Sequence, residues 1–175
     1  MLAAARPVEL AGATDAALAG LAGASAEARF AAVHRVLRRR TSRGAVLGLP
    51  WPPRYGTPPW TAARTARFGG VRYRQVVLDD TDRPHLDAVL VRVEHALRRG
   101  VPVPLYTGGD TSRGWDTALP RHVVLVVGFG PAAFEVWEPG AGRVLPIGRS
   151  ALLDGGRHPA LGGWDHLVWA LLPQL

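Results

Sequence analysis

Apolar and polar residues follow two periods along this chain, and the change between them marks out its organisation. Between Arg83 and Arg99 the apolar positions Leu86, Val89, Leu90, Val93 and Leu97 recur at helical spacing, which gathers them on one face of a helix that Gly100 ends. Ser25 precedes a second helical pattern, in which Phe30, Val33 and Leu37 repeat, and Ala13 to Leu21 reads as a shorter helix before it. Thr57-Pro58-Pro59-Trp60 has the chemistry of a helix start, with threonine as the N-cap, proline at the first helical position and Gly69 or Gly70 as the stop. Elsewhere the period falls to two. Val71 to Leu78, Val101 to Tyr106, His122 to Phe129, Ala133 to Trp137, Arg143 to Ile147 and His166 to Leu172 are the predicted strands, with a helical turn over Ser150 to Gly156. Helices followed by closely spaced strands predict an α+β domain, its N-terminal helices packed on an antiparallel sheet.

A chain of 175 residues, 47% of them hydrophobic, buries one proper core. The expected organisation is a single domain over 1–175, with a helical N-terminal part at 1–47 and a helix-plus-sheet core at 48–175. The formal charge of +7 comes entirely from arginine, in a chain without lysine or asparagine. That usage is the mark of a high-GC bacterial coding bias, so the basicity says less about partners than it otherwise would. The arginines are spread along the chain, and Arg38-Arg39-Arg40 with Arg43 reads as a solvated helix end that complements the dipole. Specific nucleic-acid binding is therefore not expected. The absence of cysteine excludes disulfides and thiolate metal sites, and the six histidines show no metal-ligand spacing, so neither metal nor cofactor is expected. No apolar run reaches the length of a membrane span and the N-terminus lacks a signal-peptide pattern, which reads as a soluble, cytoplasmic protein with no membrane partner.

Two segments carry the candidate chemistry. Arg121-His122-Val123-Val124-Leu125-Val126-Val127-Gly128-Phe129-Gly130 puts an imidazole at the mouth of an apolar strand, and Val136-Trp137-Glu138-Pro139-Gly140 puts an acid on the next one. A general base is held and oriented in this way. Plainer roles stand beside each residue: Thr57 as a helix cap, His122 as a structural histidine, Glu138 as a solvated strand end, and Trp51, Trp60 and Trp137 as core aromatics. The polar loop from Thr107 to Asp116 leads toward His122, and loops on a rigid sheet commonly bind ligands. Asp110 and Trp115 are its candidate contact residues.

The His122 strand, ending at Gly128-Phe129, and the Glu138-Pro139 pair resemble the histidine half of papain-like, and in particular bacteriocin-processing (C39-like), cysteine peptidase domains. The similarity covers roughly Tyr55 to Gly142. It implies a papain-like α+β fold with a nucleophile at the start of a helix packed against the sheet, and here only the Thr57 helix is available. Laying the Cys-Gly-Pro pattern on Thr57-Pro58-Pro59 puts Thr57 in the nucleophile's place, whereas laying Cys-Trp on Pro59-Trp60 puts a proline there. Neither supplies a thiol, and Gly48 to Gly56 lacks the glutamine that serves as oxyanion donor. Cysteine-free C39-like domains of peptide exporters hold a peptide without cutting it. The resemblance thus implies a non-catalytic module that binds a peptide, a small molecule or a protein partner in a cleft with Trp60, Asp110, Trp115 and Trp137. A hydrolase or acyl transferase in which His122, oriented by Glu138, acts on Thr57 or water is the alternative, and a basic nucleic-acid-associated or complex subunit rests on charge alone.

Overall fold

A computed structural model describes residues 24–42, 51, 56–68, 70–109 and 120–175. Helix α1 (Ala26–Ser42) starts behind Ser25, whose Oγ accepts from Ala28 N at 3.2 Å as an N-cap should. Then come α2 (Pro59–Thr65), β1 (Arg67–Phe68), β2 (Val71–Val77) and α3 (Arg83–Arg98). The rest is mainly sheet: β3 (Val103–Gly108), β4 (Pro120–Phe129), β5 (Ala133–Glu138), β6 (Arg143–Gly148), the short helix α4 (Arg149–Asp154), a 3-10 turn (Pro159–Leu161) and β7 (His166–Pro173).

All strand pairs are antiparallel, in the order β1-β2-β7-β3-β4-β5-β6. The last strand is thereby inserted between β2 and β3. Those two strands run the same way, and α3 makes the long crossover that parallel strands require. Its predicted face is the buried one: Leu86, Val89, Leu90, Val93 and Leu97 are all in the core with Val103, Leu105, Val124 and Val126. Asp82 caps α3 through His85 N, and Asp80 ties the loop ahead of it to β7 by accepting from Leu167 N and bonding His166 Nδ1. On the other side α1 packs on α2, and α2 on β2 and β7. The molecule is therefore α+β with N-terminal helices on an antiparallel sheet.

The structure corrects the reading around Thr57. Pro58, not Thr57, occupies the N-cap, and no side chain caps α2. The helix also stops at Thr65 rather than running to the glycines, because Arg67 and Phe68 leave it to pair with Arg72 and Val71. Gly70, at φ +88°, makes the turn of that hairpin instead of ending a helix. Neither β1 nor the 3-10 turn was expected, since elements this short leave no periodic signal. Strand β3 begins at Val103 and reaches Gly108, and β4 begins at Pro120, so His122 lies inside its strand rather than opening it. The expected Ala13 to Leu21 helix falls outside the described residues, as do Asp110 and Trp115. No helix among the described residues is long and apolar enough to cross a membrane.

Candidate functional site

The β4–β5 register, with Leu125 opposite Trp137, brings His122 and Glu138 to the same end of the sheet. There β5 runs into a turn in which Gly142 N donates to Glu138 O at 2.9 Å. Pro139 has no N–H, so the first amides able to fold back on the carboxylate are the next two. Gly140 N donates to Glu138 Oε1 at 3.0 Å and Ala141 N donates to Oε2. His122 Nε2 meets Oε1 as well. Only 4% of Glu138 is exposed, so it is not a solvated strand end. Burial pushes its pKa up, but the Gly140 and Ala141 amides and His122 outweigh burial and hold it below the ordinary value of 4.5.

An ionised carboxylate only accepts, so Nε2 of His122 carries the proton and Nδ1 is the nitrogen left for other chemistry. The ring is fixed from a second side by Gly162, the left-handed residue that closes the 3-10 turn. That turn is itself attached to the sheet by Thr107, the register partner of His122, whose Oγ1 donates to Leu161 O at 3.1 Å. Sequence reading did not single out Gly162 or Thr107.

The His122 side chain, 24% exposed, opens onto a cleft of about 350 Å³ with Thr57, Arg121, Pro139 and Gly140 along its walls. Beside it lies an apolar chamber of about 80 Å³, lined by Ala62, Ala66, Leu125, Trp137 and Leu171. Both compartments share His34, Arg38, Thr57, Tyr106, Val123 and Pro139, so they adjoin one another. Helix α1 contributes His34, Arg38 and Thr41, of which the sequence reading places Arg38 at a solvated helix end and gives the other two no site role. Their spacing was the available signal, because it puts three polar side chains on one face of α1. Burial, and then the nearby Arg38, His122 and Arg35, hold the His34 pKa below 6.5 against the opposing pull of Glu138.

The candidate residues are thus partly assembled. Thr57 and His122 do share the cleft, but no hydrogen bond joins them among the described residues. The adjoining start of α2 is made of Pro58 and Pro59, which have no N–H to offer an oxyanion. Trp137 lines the apolar chamber, whereas Trp60 stands edge-on to Trp51 at 5.4 Å and lines neither compartment. No group of three metal-ligating side chains occurs among the described residues. Compared with protein-family models, curated proteins and solved structures, the chain matches none of them.

Proposed function

We propose that this is a papain-like (C39-like) domain without peptidase chemistry, which binds a peptide or small molecule in the cleft between α2 and β4. The observation that carries the reading is the two-part cleft itself: an apolar chamber adjoining a polar mouth at His122, beside a helix start that holds no thiol and begins with two prolines. Concave sites of this kind, largely apolar with a few polar groups, are the usual form of a ligand pocket. An accessory role toward a protein partner is the same reading with a chain segment as the ligand. The test is a titration of the ¹⁵N-labelled protein with a panel of short peptides. Amide shifts gathered around Tyr106, Val123 and Gly140 are expected, and shifts that are absent or scattered over the surface would refute the reading.

A second reading has one observation in its favour, the oriented His122–Glu138 pair. A hydrolase or acyl transferase would use His122 Nδ1 as general base on Thr57 or on a water. Mass spectrometry after treatment with an active-site-directed electrophile decides between the two. Unmodified protein fits the binding module, while stoichiometric labelling at Thr57 that disappears in Thr57→Ala would establish the enzyme. Specific nucleic-acid recognition and a membrane partner are not part of either proposal.

A further inference from the structure

Among the described residues, the charged groups at the mouth of the cleft are of one sign: Arg38 and Arg121 line it, and no aspartate or glutamate does. Glu138, close by, has its oxygens directed to the Gly140 and Ala141 amides and to His122. Arg38 is exposed, and its guanidinium forms no ion pair among the described residues. A guanidinium fork matches a carboxylate in geometry as well as in charge.

Tyr106 supplies an independent observation. It is 2% exposed and lines both compartments, yet its hydroxyl has no hydrogen-bond partner among the described residues. Buried hydroxyls are nearly always paired, because leaving one unpaired forfeits its hydration without return. Because Tyr106 lines both compartments, a ligand that enters both would lie against it. The chamber of about 80 Å³ is roughly half the size of a cavity that takes up a benzene ring, about 150 Å³, which suits a small aliphatic group better than an aromatic ring.

Resting on the binding reading above, we infer that the cleft takes a ligand in which a carboxylate stands next to a small aliphatic group. The aliphatic group fills the apolar chamber, the carboxylate meets Arg38 at the mouth, and Tyr106 Oη bonds a polar atom between them. A peptide C-terminus ending in an aliphatic residue and a free branched carboxylic acid share this chemistry.

Four probes titrated into the ¹⁵N-labelled full chain test it: N-acetyl-L-leucine, N-acetyl-L-leucinamide, 4-methylpentanoate and inorganic phosphate. N-acetyl-L-leucine should shift the Tyr106 and Val123 amides and bind about tenfold more tightly than its neutral amide, as expected for one charge-assisted contact. Arg38→Gln should abolish that preference. Tyr106→Phe should weaken binding several-fold without lowering the melting temperature, a combination that a merely structural tyrosine would not give. A peptide C-terminus is the source if N-acetyl-L-leucine binds more tightly than 4-methylpentanoate, and a free acid is the source if it does not. Equal binding of leucine and leucinamide, or competition by phosphate, would overturn the carboxylate class while leaving the cleft as a binding site. No shift at the cleft with any probe would overturn the inference, and the broader reading would then stand or fall on the peptide panel.

Discussion

The His122 ring packs directly against the backbone of Gly162, so closely that a Cβ there would lie 2.5 Å from Cδ2 and 2.8 Å from Nε2. With Glu138 holding Nε2, the imidazole is fixed by a carboxylate from β5 and by a turn that follows α4. Neither partner adjoins it in sequence.

Gly162→Ala should therefore destabilise the fold on two counts. The residue has φ +68°, and the new methyl would force the ring or the turn to move. The expected cost is about 2–3 kcal/mol, with a shift of the His122 ring resonances. Gly70→Ala is the control, since Gly70 also has positive φ but no heavy atom near its Cβ direction. It should cost only the backbone part, about 1 kcal/mol. Equal losses in urea unfolding would mean that the contact with His122 carries no weight.

Truncations at the β4–β5 end should rank in a definite order. Glu138→Ala leaves two backbone N–H groups and His122 Nε2 without their acceptor, which should cost about 3 kcal/mol. Val126→Ala, in the core, should cost on the order of 2 kcal/mol. His122→Ala should cost less, on the order of 1 kcal/mol, because Glu138 keeps both amide donors and the ring stands at the cleft mouth. Thermal or urea melts check the order. A His122→Ala loss as large as that of Val126→Ala would make the histidine a structural strut.

Stability should fall in two stages on acidification. His34 has its folded pKa depressed below 6.5, so the unfolded chain binds its proton first. Its contribution is complete above pH 6.5 and is lost as pH falls through the depressed folded value. Glu138 behaves with the same sign from pH 4.5 downward, since its folded pKa is also depressed. Melting temperatures of the wild type and His34→Gln, compared at pH 7 and pH 5.5, isolate the first stage. The variant should lose less than the wild type over that interval, and an equal loss would remove His34 from the account.

Thr57→Cys should not produce a working peptidase. The new thiol would enter the cleft that His122 lines, but the adjoining Pro58 and Pro59 have no N–H to give an oxyanion and residues 48–56 include no glutamine to serve as its donor. Loss of one such donor typically lowers kcat by about a hundredfold or more. The expected outcome is slow alkylation by a thiol reagent and no turnover of a peptide substrate. Measurable burst kinetics with an activated ester would show that another group supplies the donors.

Helix α3 and the central strands were legible in the sequence by itself, because their apolar periods are local and long enough to name both the element and its buried face. So was the pairing of His122 with an acid on the adjacent strand, since a short β-connection leaves few registers to choose from. The residues around Thr57 misled for a physical reason. Thr-Pro-Pro satisfies the preferences of an N-cap, yet where a helix begins depends on backbone angles that packing sets, and a two-residue strand took the chain out of the helix before its glycines. Tertiary structure alone decided that His34 and Arg38 of α1 face the cleft, that Gly162 seats the His122 ring, and that the Tyr106 hydroxyl is buried without a partner among the described residues. Each depends on the approach of elements distant in sequence. A helical stripe or a strand alternation records which face is apolar, but not what the polar residues beside it will meet.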